Sequence, residues 1–440
     1  MNGVERNDRR VAITGMGLIT PLGNSPQELW DALSAGRSGV GPLVAVPPKY
    51  LPMSFAAEAR GFTEEIDQFG PLEKEQKKAI RKGLKTICRE AKMGIAAAQL
   101  ALHDAGLGGG KTNPERTGIV FGSDYMITQP EEYTDAVRTC VGPDGKFDFG
   151  RWASEGLGKM DPLWLLKYLP NMPSAHIAIY NDLRGPNNSL TLREASSNLA
   201  IGEAFRYIQR GHADTMIAGA TGTWIHPVKA VHAVLQQELA GNGCEPEKAC
   251  RPFDKNRSGM VLGEGSGALI LEEWESAQAR GATILAEIVG TASSQVAGPH
   301  LVSRRHTALI NAMRATLRDA NATLDDVGHI QAHGLGSQTS DIAESQAIRA
   351  IFGDKADKLP VTAAKSYFGN LGAGSGAVEL CAGVLALKHR QLFRTLNYET
   401  PDPECPINVV AKDGTEPGAS FLNLSVTVQG QASCVMVRAV

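Results

Sequence analysis

The chain has 440 residues, a length that allows one large core or two fused halves. Apolar residues make up 42% and charged residues 21%, the balance of an ordinary globular protein. The net charge of −3 gives no electrostatic case for nucleic acid or an anionic membrane surface.

No uninterrupted apolar run of about 18 residues occurs, so no membrane span is expected. The N-terminal stretch MNGVERNDRR is charged and lacks an apolar centre, so it does not read as a secretory signal. A cytoplasmic location is the expectation. The seven cysteines, Cys88, Cys140, Cys244, Cys250, Cys381, Cys405 and Cys434, contain no C-x-x-C pair and read as free thiols in a reducing compartment. Cys244 and Cys250 are close enough in sequence to pair, but nothing clusters around them. The ten histidines show no metal-ligand spacing, so no metal and no cofactor are expected.

In chain order, residues 10–24 (RVAITGMGLITPLGN) read as a buried strand and a turn. Residues 26–36 read as a short helix closed by Gly36. Residues 43–80 are irregular and then basic near Lys74–Lys82, a solvated face. An Ala-rich helix over 90–106 and a buried strand over 117–123 follow. Residues 125–180 carry few periods and read as an inserted cap or dimer-contact region. Residues 185–211 (GPNNSLTLREASSNLAIGEAFRYIQRG) alternate briefly, turn, and then show helical spacing at Leu199, Ile201, Ala204, Phe205 and Ile208. Such an elbow presents one side chain at a helix N-terminus, where unpaired N–H groups point. The residue there is Glu194. Arg193 is adjacent, but neighbours on an elbow need not face each other, and it receives no role.

A strand over 214–219, a loop over 251–267 and a strand over 268–272 come next. Then a strand at 283–290, a helix at 306–320, a strand-like GHIQAHG ending at Gly334, and a closing strand pair at 419–428 and 432–440 complete the pattern. The segments QLALHDAG and RATLRDAN share an L-x-D-A core. This weak repeat predicts two similar α/β halves, 1–272 and 283–440, with a boundary near 271–282 and a site between them.

AGLGGGKT at 105–112 approaches a phosphate-loop pattern, but a helix precedes it and a strand follows, the reverse of what that motif needs. GEGSG at 263–267 and GAGSG at 372–376 do not have dinucleotide spacing and read as points of close backbone packing.

Nearly the whole chain resembles the elongating β-ketoacyl-acyl-carrier-protein synthases of the thiolase superfamily. The resemblance is carried by VAITGMGLITPLGN, RPFDKNRSGMVLGEGSGALILEE, QAHG at His333, AAKSYFGNLGAGSGAVE and LNYETPDPEC. It implies a thiolase-like five-layer αβαβα fold built from two similar halves, a homodimer, and a partner acyl carrier protein bearing a phosphopantetheine-linked acyl group. The family uses a Cys nucleophile at the elbow and two His residues, supported by a Lys and a Glu. Here the nucleophile position is Glu194, the first His is His333, the second His position is Asn370, and Lys365 and Glu379 match the supporting pair. The family's closing G-F-G-G-T-N loop, which supplies an oxyanion-hole amide and a gating Phe, is replaced by Val426–Gln431. Ser425 and Thr427 then line the pocket and gate.

A carboxylate is a poor nucleophile toward a thioester, so ordinary condensation is doubtful. His333 and Asn370 can both donate to a forming enolate. Ionised, and beside His333 as an imidazolium, Glu194 serves as base toward an acyl α-carbon or a water. Protonated, it donates as a Gln would. The expected chemistry is decarboxylation of malonyl-carrier or proton abstraction. The alternatives are a chain-length-factor-like partner in a heterodimer or an acyl-binding subunit, in which the same residues form a satisfied buried polar cluster, and a degradative thiolase-type enzyme, which Glu194 disfavours equally.

Overall fold

The computed structural model describes residues 9–440, so most of the charged N-terminal stretch lies outside the described residues. Eleven strands form the main sheet system: β1 (Val11–Ile19), β2 (Thr117–Ser123), β3 (Asn187–Thr191), β4 (Thr215–Thr223), β5 (Glu264–Glu273), β6 (Ala286–Gln295), β7 (His329–Gln331), β8 (Pro360–Thr362), β9 (Asn408–Val409), β10 (Ser420–Val426) and β11 (Gln431–Arg438). Their spatial order is β9-β8-β7-β10-β11-β6-β1-β5-β4-β2-β3. Only Val11–Ile13 joins β1 to β6, so the order divides there into one sheet from each half of the chain.

The main helices are α1 (Pro26–Ala35), α2 (Lys74–Gly83), α3 (Arg89–Asp104), α4 (Pro130–Thr139), α5 (Met172–Asn181), α6 (Ser196–Gln209), α7 (Pro227–Gln236), α8 (Arg305–Asp319), α9 (Gln338–Phe352) and α10 (Ser375–His389). Helix α3 packs on β1, β4 and β5, and α8 packs on β6 and β11. Helices α6 and α10 touch strands of both sheets: α6 meets β2, β4, β6 and β11, and α10 meets β5 and β10. The result is helix, sheet, helix, sheet, helix, the thiolase-like five-layer fold. One apolar core holds α6 and α10 between the sheets; separate cores lie under α3 and under α8 and α9.

The L-x-D-A repeat has a structural counterpart. Asp104 accepts the Met16 amide at 2.8 Å, and Asp319 accepts the Thr291 amide at 2.9 Å. Each accepting carboxylate belongs to the last residue of its helix, and each amide follows a glycine in the strand. A Cβ on Gly15 would lie 2.6 Å from the Ala101 carbonyl oxygen, and one on Gly290 2.8 Å from that of Thr316. Pairing also skips a residue at the same place in both strands, Thr14 in β1 and Val289 in β6.

Several expectations need correction. The basic stretch near Lys74–Lys82 is a helix, α2, whose one buried residue is Ile80, so no apolar stripe announces it. Strand β5 begins at Glu264, so all of GEGSG but Gly263 lies within a strand and not in a loop. Its role in close packing holds: a Cβ on Gly374 would lie 2.3 Å from the Gly265 carbonyl oxygen, which brings the two glycine-rich segments backbone to backbone. Residues 125–180 form short helices that leave Phe147, Phe149, Leu163, Leu165 and Ile179 exposed. All seven cysteines are free, Cys244 and Cys250 included.

Candidate active site

Strand β3 ends at Thr191, and the chain turns through Leu192–Ala195 into α6. Arg193 sits in the left-handed region, with φ 52°, which costs a non-glycine residue about 1 kcal/mol or more. That turn drives the next side chain inward: Glu194 is only 3% exposed.

Asn370 Nδ2 donates to Glu194 Oε1 at 3.0 Å and faces Met260 Sδ at 2.9 Å. The amide's orientation follows from its other end, where Oδ1 accepts from the Gly372 amide and the Ser375 hydroxyl, both at 3.1 Å. Glu194 Oε2 has no hydrogen-bond partner. Arg193 Nε lies 3.9 Å from it, so the two elbow neighbours do face each other, contrary to the sequence reading.

His333 follows β7, where Glu344 of α9 accepts the amides of His333 and Gly334 at 2.7 and 2.8 Å. Lys365 is fully buried and pairs with Glu379, also fully buried. Its ammonium donates to the His333 carbonyl oxygen at 2.8 Å and lies 3.3 Å from His333 Nδ1. An ammonium has only donors, so Nδ1 is the bare nitrogen and Nε2 carries the proton. Burial, and then the charge of Lys365, hold His333 well below the usual histidine range. The ring is therefore neutral, not the imidazolium considered as a partner for Glu194. Burial pushes Glu379 up, with the charge of Lys365 opposing.

Ser425 is buried on β10, and its hydroxyl lies 3.4 Å from Asn198 Nδ2 of α6. Thr427 opens the β10–β11 turn: its amide donates to the Gln431 carbonyl oxygen at 2.8 Å, and its hydroxyl accepts the Gln431 amide at 3.2 Å. A cavity of about 300 Å³ lined by Leu190, Leu192, Leu199, Gly202 and Thr291 flanks the elbow.

Sequence reasoning missed a buried cluster beside this site. Lys229 Nζ donates to Glu90 Oε2 at 2.7 Å, and Glu90 Oε1 accepts the Asp124 amide at 3.3 Å. Burial raises Glu90 to about 7 and raises Asp124, with Lys229 opposing in each case. The partners are 34 and 139 positions apart in the chain, so no local pattern reveals them. Among the described residues no group of three or more His, Cys, Asp and Glu is placed to hold a metal ion. No helix among them is long and apolar enough to cross a membrane.

Two family models match most of the chain: the β-ketoacyl synthase N-terminal domain matches residues 8–277 and the C-terminal domain residues 285–399. The 3-oxoacyl-(acyl-carrier-protein) synthase 2 of Coxiella burnetii is 35% identical over 411 residues, 93% of each chain. A crystal structure of a β-ketoacyl synthase from Burkholderia phymatum superposes with a TM-score of 0.84 at 29% identity, covering 98% of this chain and 100% of that one. The ishigamide ketosynthase/chain length factor superposes with a TM-score of 0.83 at 25% identity, covering 98% and 99%. With the elbow, the His333–Lys365–Glu379 group and the five layers in place, the chain belongs to the β-ketoacyl synthase family.

Proposed function

We propose that this family member does not condense but moves a proton at the α-carbon of an acyl group carried as a thioester on the phosphopantetheine of an acyl carrier protein. One observation carries the reading. Glu194 stands in the nucleophile's place with Oε1 held by Asn370 and Oε2 free of hydrogen bonds. One tied and one uncommitted oxygen is the arrangement of a positioned general base. The α-proton passes to Oε2, and the C–H electron pair moves onto the thioester oxygen as an enolate. The His333 Nε2–H donates to that oxygen; Lys365, Glu379 and Glu344 fix the ring and its backbone.

Decarboxylation of a malonyl thioester is served less well. Asn370 Nδ2 already donates to Glu194, and an ionised Glu194 repels the departing carboxylate. The cavity beside the elbow offers room for the acyl chain, but neither Ser425 nor Thr427 lines it; their part as pocket and gate rests on the family resemblance. Strand β3 ends the sheet order and offers an unpaired edge for a second copy, which supports a homodimer.

The test follows deuterium entry at the α-carbon of an acyl-carrier thioester in D₂O. Exchange that the native chain catalyses and Glu194→Gln abolishes supports the reading. Exchange unchanged in Glu194→Gln overturns it. Carbon dioxide release from malonyl-carrier without α-exchange favours decarboxylation instead.

A second reading, a chain-length-factor-like subunit, has its own support. The Thr427 amide, at the position where the family's loop serves an oxyanion, is engaged by Gln431. Copurification with an active synthase would favour this reading; a self-paired protein that catalyses exchange would count against it.

A further inference from the structure

Arg193 brings into the site a cation that the proton-transfer reading leaves unused. Its Nη1 donates to Gln236 Oε1 of α7 at 3.0 Å, on the surface side. Its guanidinium carbon lies 5.0 Å from the centre of the fully buried Trp224 ring, within cation–π range. These two anchors and the left-handed backbone of Arg193 hold the guanidinium in place. Its Nε and Nη2 are buried without hydrogen-bond partners. Nε lies 3.9 Å from Glu194 Oε2, too far to donate to it but near enough to reach a group seated against it. Asp124, the other carboxyl that acts on Arg193, does not fill the fork either: its Oδ2 is also without a partner. Buried donors left unpaired are costly, so the arrangement favours an acceptor that completes them.

Proton abstraction creates such an acceptor. As the α-proton passes to Glu194 Oε2, the C–H electron pair becomes the new C=C bond, and the carbonyl π pair becomes charge on the thioester oxygen. That oxygen is two bonds from the α-carbon, so seating the carbon against Oε2 brings the oxygen to the flank where Nε and Nη2 are open. Two donors that the family resemblance assigns to it are committed elsewhere. Asn370 Nδ2 holds Glu194 Oε1, and the Thr427 amide is engaged by Gln431. The remaining donor of that set, His333 Nε2–H, sits on a neutral ring and leaves the new charge unbalanced. A guanidinium balances it and keeps its own proton throughout.

We propose that Arg193 is a catalytic residue: its Nε and Nη2 donate to the thioester oxygen as it becomes an enolate, together with His333 Nε2–H, in place of the donors that Asn370 and Thr427 have committed. The proposal rests on the reading that Glu194 is the base. The guanidinium is anchored before the charge appears, so no reorganisation is needed when it does.

The test uses the full chain and propionyl-pantetheine. Arg193→Met is expected to slow α-exchange at saturating probe by about a hundredfold or more, while calorimetric binding of the probe changes by less than about twofold. Arg193→Lys, which keeps the charge and loses the fork, recovers part of the rate. An unchanged rate overturns the proposal, as does a loss that appears wholly as weaker binding. A second measurement needs no base. A nitroalkane analogue of the probe, with a nitro group in place of the thioester carbonyl, ionises in solution to a nitronate that copies the enolate's charge. Glu194→Gln is expected to bind the preformed nitronate at least about tenfold tighter than the un-ionised form. Adding Arg193→Met removes most of that preference; equal binding of the two forms by Glu194→Gln, or a preference that survives Arg193→Met, overturns the proposal. If Arg193→Met does not fold, Arg193→Gln, which keeps a polar stem and removes the charge, is read in its place in both measurements. Exchange lost in Glu194→Gln but full in Arg193→Met sinks only this proposal. Exchange left intact by Glu194→Gln, beside a nitronate preference that depends on Arg193, sinks only the base and supports the donor.

Discussion

Asn370 Nδ2 holds Glu194 Oε1 at 3.0 Å while its own oxygen accepts two donors, so one amide fixes both the elbow and the loop opposite it. Truncation by Asn370→Ala leaves a buried carboxylate oxygen and the buried Gly372 amide without the partner that Asn370 gave them. The expected loss is about 1–3 kcal/mol in urea unfolding. Asn370→Asp sets one carboxylate against another and is expected to cost more, unless the pH is low enough to protonate one of them.

Lys365 and Glu379 form an ion pair with no exposure on either side. Removing one partner, as in Lys365→Met, strands a buried charge and is expected to cost about 3–5 kcal/mol. The double change Lys365→Met with Glu379→Leu is expected to recover most of that stability. It does not recover α-exchange, because His333 loses the cation that fixes its Nε2–H form. Unfolding midpoints and exchange rates measured on the same variants separate the two effects.

Glu344 gives a pH dependence with a definite sign. Burial raises its carboxyl from the ordinary 4.5 to about 7 in the folded chain. Between those values the unfolded chain has released the proton and the folded chain keeps it. Stability contributed by Glu344 is therefore full below about 4.5 and is lost as pH rises through about 7. Relative to Glu344→Gln, the native chain is expected to lose stability across that window, at no more than about 1.4 kcal/mol per pH unit, and to run parallel above it. Unfolding curves at several pH values check this.

The duplicated strand–helix contact predicts paired sensitivity. A methyl on Gly15 would meet Ala105 N at 2.7 Å, and one on Gly290 would meet Ala320 N at the same distance. Both atoms are backbone and cannot swing aside. Gly15→Ala and Gly290→Ala are each expected to destabilise by about 1–3 kcal/mol, as overpacking does, seen as a lower unfolding midpoint. Gly106→Ala carries a different penalty. Its φ of 71° is strained for alanine, but no atom lies within 4 Å.

The elbow was legible because alternation gives way to helical spacing within one short stretch, and the family motifs name His333, Lys365, Asn370 and Glu379. Helix α10 was not legible by period: residues Ser375–Leu387 are all buried, so no polar face marks its turns. Arg193 escaped because the direction of its side chain depends on a left-handed backbone that composition does not announce. Glu90, Asp124 and Lys229 escaped because their meeting is made by the tertiary fold alone.

The placement of α6 between two sheets also sets how this site can move. Helix α6 touches strands from both halves, and Ser196–Asn198 at its start are buried. Its amides are expected to exchange with solvent hydrogen only when the whole molecule opens, among the slowest in the chain. The site thus belongs to the most protected cooperative unit, unlike sites borne on loops. Any admission of a thioester must come from rotation of side chains such as Arg193 or from the β10–β11 turn, with the backbone of the elbow standing still.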